Sequence, residues 1–448
     1  MKDDKQINGF SKRSKAEKLQ WVIENFFNGH ESAAGELRSF WLDDETQNIF
    51  DAFSENSISN FILPYGVAPN MLINGKTYCV PMVTEESSVV AAAAAAAKYW
   101  STRGGIKATV VNTKKIGQVH FKWSGQTEKL ISVFPELKKE LIITASAITT
   151  NMDKRGGGIL DIELKDLSDK EPDYYQLFTH FDTCDSMGAN FINSVLEQFG
   201  RTLRLFIQTH PAFDETDREV DIIMCILSNY TPECLVKAEV SCTIDELGDE
   251  CLEMDAVGFA ERFATAIRIA EIDSYRATTH NKGIFNGIDA VVIATGNDFR
   301  AIEASGHTYA ARSGIYKSLS KCTIKDNIFS FNLEIPLAIG TIGGLTKLHP
   351  IARHSLEMLG HPSAPELMTI IAATGLMQNF AAIRSLVTTG IQKGHMKMHL
   401  MNILNHLSAT EQEIEQAFEY FSDKVISFTS VRELITEIRE REHKIITD

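Results

Sequence analysis

The sequence predicts a protein of mixed helices and strands in which an α/β domain, roughly residues 112–222, interrupts a largely helical one. Three observations carry this. Apolar residues recur at helical spacing near the start of the chain, at Leu19, Val22, Ile23, Phe26 and Phe27. After Gly104-Gly105 the pattern changes to short strand-like runs alternating with helices. Helical periodicity returns at 256–272 and again at 365–388. With 448 residues the chain has room for roughly two or three domains.

Taken in order, Ser14 and Glu17 have capping-box spacing ahead of the first helix, and 31–57 continues as helical material. Residues 63–66, Leu-Pro-Tyr-Gly, read as a turn. Asn74-Gly75 between apolar runs reads as a hairpin turn, with 78–83 as its second strand. Thr84-Glu85-Glu86-Ser87-Ser88 then leads into an alanine-rich helix through Ala97, with Ser87 or Ser88 as cap. Two glutamates at a helix start are favoured by the macrodipole, which is the simpler reading. The functional alternative is that one is a proton donor kept neutral by burial.

Past Gly104-Gly105, 119–123 reads as a strand, 128–149 as a helix, 161–167 and 175–181 as strands, 191–199 as a helix and 203–209 as a strand. Gly156-Gly157-Gly158 and Asp185-Ser186-Met187-Gly188-Ala189-Asn190 are small-residue loops. The second precedes a helix, so its backbone N–H groups can hold a phosphate. No G-x-G-x-x-G occurs, so the ordinary Rossmann fingerprint is absent. Residues 234–243 return to strand, and 329–335 alternate apolar with polar residues. A loop with Gly340, Gly343 and Gly344 can approach a ligand closely. The helix at 365–388 holds Gln378 and Asn379, and a charged helical tail closes the chain, with Ser408 and Glu411 at capping-box spacing.

The stretch 276–289, Arg-Ala-Thr-Thr-His-Asn-Lys-Gly-Ile-Phe-Asn-Gly-Ile-Asp, is dense in polar groups between two apolar segments. Its two glycines allow a tight turn or a close approach to a ligand. Lys282 is expected to be partly buried there, with Asp298 as its partner. Composition alone favours a structural ion pair; an ammonium placed to stabilise an oxyanion is the alternative.

The net charge of −15, from 44 basic and 59 acidic side chains, argues against nucleic-acid binding. Seven scattered cysteines without a C-x-x-C pair indicate neither a disulfide framework nor a zinc ribbon, and fit a reducing cytoplasm. The N-terminus lacks the apolar core of a signal peptide, and the apolar run 89–97 is too short to span a bilayer, so no transmembrane segment is expected. His395 and His399 share a helical face at zinc-compatible spacing, yet no H-E-x-x-H core or third ligand accompanies them, so no metal is expected. An acid/base or surface histidine is the better reading.

Five stretches together resemble one family: Pro81-Met82-Val83-Thr84-Glu85-Glu86-Ser87, the loop 185–190, residues 275–289, Thr295-Gly296-Asn297-Asp298 and Gly394-His395-Met396. In this order they are similar to class II 3-hydroxy-3-methylglutaryl-coenzyme A reductases, the soluble prokaryotic type, over roughly 10–430. The resemblance implies an α+β fold. A large, mostly helical domain (1–111 and 223–390) would bind the thioester, the small domain (112–222) NAD(P)H, and a mobile C-terminal flap (391–448) would close the site. It implies two hydride transfers that join HMG-CoA and mevalonate, with release of coenzyme A. Glu86 matches the catalytic acid, Lys282 the catalytic lysine, Asp298 the linking aspartate and His395 the flap histidine that protonates the thiolate. Arg276, Thr279, Asn286, Gln378 and Asn379 match substrate-pocket positions. Asp185, Met187, Gly188, Ala189 and Asn190 match the dinucleotide loop. Thr149 stands where NADH-preferring members carry an aspartate, and Lys154 and Arg155 are nearby, which leans towards NADPH over NADH. The dimer motif departs from the family at Glu55-Asn56-Ser57-Ile58-Ser59, with serine where glycine is usual. The family implies a homodimer, or a higher assembly of dimers, with interfacial active sites. The competing expectations are a metal-dependent hydrolase using His395 and His399, and a non-catalytic coenzyme A or nucleotide-binding protein on the same scaffold.

Overall fold

The computed structural model describes residues 5–27, 29–248, 254–388, 391–422 and 424–447, the side chains of 391–398 and 442–447 excepted. The chain opens with α1 (Lys15–Phe26), α2 (Glu31–Ser39) and α3 (Asp44–Asp51). The capping box at α1 is complete: Glu17 N–H donates to Ser14 Oγ at 3.3 Å, and Ser14 N–H to the Glu17 carboxylate at 2.8 Å. Leu19, Ile23 and Ala34 bury a small core of their own. The hairpin β1 (Tyr65–Ile73) and β2 (Lys76–Val83) turns at Asn74-Gly75, whose φ angles of 49° and 82° suit a tight two-residue turn. β1 already begins at Tyr65, inside the expected turn at 63–66. α4 (Val89–Ser101) follows, with Ser88 at its N-cap.

β3 (Lys107–Val110) then leads to a unit made of β4 (Lys115–Lys122), α5 (Thr127–Asp153), β5 (Gly158–Asp166), β6 (Tyr174–Asp182), α6 (Ala189–Thr209) and β7 (Asp221–Ser228). Its sheet runs β5-β6-β4-β7 with every pair antiparallel, and α5 and α6 pack on it and on each other. Phe121, Phe181, Phe199 and Phe213 are among the large side chains of its separate core. The strand expected at 203–209 does not form. α6 runs through to Thr209, because Leu203, Phe206 and Ile207 continue the helical stripe begun by Ile192, Val195, Leu196 and Phe199. Gly200 is no helix stop. A Cβ there would lie 2.8 Å from Cys225 Sγ, so the glycine permits close packing of α6 on β7. The expected boundary at 222 cuts β7, which pairs with β4 as far as Ser228.

The chain returns through β8 (Leu235–Thr243), α7 (Ala256–Ile272), α8 (Ser274–Ala294), α9 (Phe299–Ala310), β9 (Ser320–Lys325) and β10 (Ile328–Pro336). These strands and β3 form a second antiparallel sheet of order β3-β8-β10-β9. α10 (Leu345–Leu348), α11 (Pro350–Met358) and α12 (Ala364–Val387) follow. α12 is apolar all round, as a helix at the centre of a core must be. Among the described residues it is the one helix long and apolar enough to cross a membrane. Here it is packed between α4, α7, α8 and the β3-β8-β10-β9 sheet. Phe380 meets Trp100, Tyr99 and Phe263 at ring-centroid distances of 5.3, 5.4 and 5.4 Å.

Three helices end the chain: α13 (Ile391–His406), α14 (Glu411–Tyr420) and α15 (Phe428–Thr447). They bury Leu400, Leu404, Ala417, Phe421, Val431 and Ile435 against one another. The capping box here is Thr410–Glu413, two residues beyond the expected Ser408–Glu411 pair, because Ser408 belongs to the turn that closes α13, its N–H donating to Asn405 O. Arg439 forks onto Glu413 at 2.6 and 3.1 Å and ties α15 to α14.

Replacing Phe380 by alanine should cost about 3–5 kcal/mol of unfolding free energy, the usual range for a buried phenylalanine. The denaturant midpoint of the unfolding transition reads it. An unchanged midpoint would show that α12 is not the centre of the core.

Candidate active site

Residues 276–289 are not a turn-rich segment. They form the middle of one continuous helix, α8. Asp273 starts it, its carboxylate accepting from Tyr275 N–H at 2.9 Å, and Gly296 at φ 71° follows its end. Neither glycine makes a turn, and Gly287 serves packing. A Cβ on Gly287 would lie 2.8 Å from Gln378 Cβ and 2.9 Å from Thr374 O, and one on Gly375 would lie 2.7 Å from Ile288 Cγ1. α8 and α12 therefore cross in close contact, with a glycine on each side.

The buried side of α8 is fixed by polar contacts as well. Ser320 Oγ lies 2.7 Å from His280 Nε2 and donates to Asn379 Oδ1 at 2.8 Å. Asn281 donates to Lys317 O at 2.9 Å and accepts from Leu319 N–H at 3.0 Å. Burial pushes His280 down to about 3, so it is a neutral structural imidazole. With this side committed, Lys282, Asn286, Asp289 and Ile293, at helical spacing, face a cleft of about 1190 Å³.

Glu86 enters the same cleft from the loop between β2 and α4. Lys282 Nζ donates to Glu86 Oε2 at 2.5 Å, and Asn286 Nδ2 donates to the same oxygen at 3.3 Å. The expected partner of Lys282 was Asp298, and the expected setting was burial; both are corrected. The ammonium is 59% exposed and Glu86 38% exposed. A pair this open contributes little to stability, so its value lies in orientation. Asp298 instead caps α9, accepting from the backbone N–H of Arg300 at 3.1 Å and of Ala301 at 3.3 Å, with the Arg300 guanidinium at 3.2 Å. Capping holds its carboxylate still at the edge of the cleft.

The opposite wall comes from the other sheet unit. Ser186, Met187, Gly188, Ala189 and Asn190 line it, at the N-terminus of α6. The glycine loop after β10 backs this wall: a Cβ on Gly340 would lie 2.4 Å from Met187 N, and Asn297 Oδ1 accepts from Gly340 N–H at 2.8 Å. The triple glycine packs nearby, since a Cβ on Gly157 would lie 2.6 Å from Asp182 O.

Three cleft residues were not singled out by sequence reasoning. Asp289 and Glu303 meet in the cleft, and burial together with the Glu303 charge and hydrogen bond raises Asp289 well above the ordinary carboxylate range. His349 also lines the cleft and caps α11 through its ring. The available signal was spacing: Asp289 lies about one turn past Asn286 on the same face of α8.

Several expected site residues lie elsewhere. Asn379 and Gln378 are buried behind α8 rather than in the cleft, and Gln378 Oε1 has no partner among the described residues. The Asp185 carboxylate accepts from Ala364 N–H at 2.7 Å, which ties the loop to the start of α12. Thr149 is buried within α5 and donates to Asp153 Oδ2 at 2.7 Å; the exposed groups before the triple glycine are Asp153, Lys154 and Arg155. Arg276 and Thr279 lie on the first turns of α8, beyond the cleft lining, beside the 90% exposed Tyr275. His395 falls on α13, and its side chain lies outside the described residues. His399 is exposed, and among the described residues no three metal-binding side chains cluster.

The sequence profile of the family described as hydroxymethylglutaryl-coenzyme A reductase matches residues 16–400. The 3-hydroxy-3-methylglutaryl-coenzyme A reductase of Archaeoglobus fulgidus is 37% identical over 442 residues, covering 97% of this chain and 94% of that one. A probable reductase of the same name from Borreliella burgdorferi is 33% identical, covering 91% and 92%. Among solved structures, the Streptococcus pneumoniae reductase superposes with a TM-score of 0.70 at 36% identity, over 96% of this chain and 99% of that one. A second structure, the class II enzyme of S. pneumoniae bound to NADPH in open conformations, gives 0.69 at 38% identity, over 85% and 99%. The α+β fold and these matches define the class as an NAD(P)H-dependent oxidoreductase. The chain belongs to the hydroxymethylglutaryl-coenzyme A reductase family, in its class II.

The Asp289–Glu303 pair carries a pH signature. The folded protein holds Asp289 neutral above the pH at which the unfolded chain ionises it, so the stability it contributes is complete in acid and is lost as pH rises through the raised value. Asparagine mimics the neutral acid. Asp289→Asn should therefore melt close to the wild type in acid and above it in mild alkali. A melting difference that does not change with pH would refute the raised Asp289 value.

Proposed function

We propose that this cleft interconverts HMG-CoA and mevalonate plus coenzyme A, through two hydride transfers between NAD(P)H and the thioester carbon. The observation that carries the reading is the Lys282–Glu86 contact at 2.5 Å, facing the open N-terminus of α6 across one cleft. Lys282 places an ammonium where the carbonyl oxygen becomes negative. Glu86 lies within proton-transfer distance of that ammonium, and so of the same oxygen. Asn286 holds the carboxylate from a second side. Asp298, fixed by capping, sets the edge of the charged network. His395, on the helix that follows the central one, is the proposed donor to the departing thiolate, because imidazole titrates near neutrality.

The nucleotide fits the α6 wall. The first N–H groups of a 21-residue helix are unsatisfied within the helix, and here they open onto the cleft beside Gly188, at φ 86°. Met187, Gly188, Ala189 and Asn190 would hold the pyrophosphate, and the bound nicotinamide supplies the hydride. Exposed Lys154 and Arg155 support NADPH over NADH, although Asp153 beside them weakens the part of that argument that rested on Thr149. We further propose a homodimer, or an assembly of dimers, in the cytoplasm. Phe61, Ile272 and Tyr275 are large apolar side chains left almost wholly exposed, and Arg276 and Thr279 beside them would reach a partner's site.

Oxidation of NADPH or NADH dependent on the hydroxymethylglutaryl thioester, with mevalonate identified as product, tests the activity. Lys282→Ala in a folded protein should lower kcat by about 10²–10³, the usual loss of one oxyanion donor. Unchanged turnover would sink the mechanism. Comparing kcat/KM for the two nucleotides decides the preference, and a strong advantage for NADH would overturn it.

A further inference from the structure

Lys115 has no place in the chemistry above, yet it is one of the most buried charges in the protein, 5% exposed. It is the first residue of β4, where the chain enters the small sheet unit. Its Nζ donates to Thr183 Oγ1 at 2.5 Å and to Ser186 O at 2.7 Å, and Thr183 Oγ1 donates in turn to Ser186 O at 2.6 Å. Its hydrogen bonds go to neutral oxygens, and the two nearby carboxylates are bonded elsewhere. Asp182 accepts from Cys184 N–H at 2.7 Å and from Thr113 Oγ1 at 3.1 Å, and Asp185 accepts from Ala364 N–H.

The loop rests directly on these partners. A Cβ on Gly188 would lie 2.3 Å from Thr183 Cγ2, while Gly340 presses on Met187 N from the other side. The Met187-Gly188 backbone is thus held between Thr183, gripped by Lys115, and Gly340. A buried lysine is costly, and an apolar side chain of the same length would pack without that cost. Keeping the charge beneath a helix N-terminus adds positive potential where an anion would bind.

We propose that Lys115 is a positioning residue for the nucleotide: its ammonium clamps the Thr183–Ser186 turn and holds the α6 N-terminus ready for the pyrophosphate. This rests on the nucleotide reading of the 187–190 loop. The groups facing the ammonium are the Cys234 thiol from the start of β8, Asp182 from β6, and Cys184 and Asp185 from the turn. The two carboxylates favour the charged form, but burial outweighs them and lowers the lysine from its ordinary value. Its charge is therefore lost at a lower pH than an ordinary lysine's as pH rises.

The test uses the full-length wild type, Lys115→Met and Lys115→Arg, with NADPH and NADH binding followed by protein fluorescence and both KM values measured. Lys115→Met should raise nucleotide Kd and KM about tenfold, the scale of one charged hydrogen bond, with kcat at saturation and the thioester KM little changed. Lys115→Arg should recover part of the loss. In the wild type the nucleotide KM alone should climb in alkali, and Lys115→Met should lack that climb. An unchanged nucleotide KM in a folded Lys115→Met, or a parallel rise of both KM values, overturns the proposal. Should Lys115→Met not fold, the wild-type profile decides: a climb confined to the nucleotide supports the clamp, and a flat profile removes it. A wild type that binds neither nucleotide overturns the reading of the loop itself, whereas failure of the clamp alone leaves wild-type binding intact.

Discussion

The crossing of α8 and α12 sets the geometry on which the site depends. Gly287 and Gly375 bring the two helices into contact with almost no side-chain spacing, and any larger residue at either position would push them apart. A close crossing fixes rotation as well as distance. With His280 and Asn281 bonded into the β9 side and Ile284 and Ile288 packed on α12, α8 has a single stripe left to present. That stripe carries Lys282, Asn286 and Asp289. The Lys282 side chain is exposed, but the helix that carries it is fixed on its other faces.

The second wall is held differently. The loop before α6 is bonded to β4 beneath it and to the first turn of α12 through Asp185, and Gly340 packs against Met187 N beside it. Thr341 N–H donates to Asp185 O at 2.8 Å, so one residue joins the loop to both other segments. Close glycine packing positions the Lys282 wall, and the 186–190 wall adds polar bonds to its glycine contacts. The two meet at Asn297 and Asp298, which brace Gly340 and cap α9 respectively.

Much of this was legible in the sequence, and the exceptions share a cause. The hairpin at Asn74-Gly75, the box at Ser14–Glu17 and the helix at Ala256–Ile272 are local, and local rules find them. Glu86, Lys282, Asn286 and the 186–190 loop could be named from motif order, and the structure brings them to one cleft. What failed was anything decided by a distant neighbour. Gly200 and Gly287 look like breaks until β7 and α12 are beside them. Lys282 pairs with a residue 196 positions away rather than with Asp298. Gln378, Asn379 and Thr149 carry polar groups that suggest a ligand, but their positions on α12 and α5 turn them inward.

The Asp289–Glu303 pair changes how the charge of the protein should be counted. The formal value of −15 assigns a full negative charge to every carboxyl group. Asp289, held neutral mainly by burial and also by the neighbouring Glu303, does not add its charge inside the cleft. The field that an incoming polyanion meets is therefore less repulsive than composition implies. An acidic protein can in this way keep a net charge that favours solubility while sparing its own anionic ligands part of the repulsion at the one place they must enter.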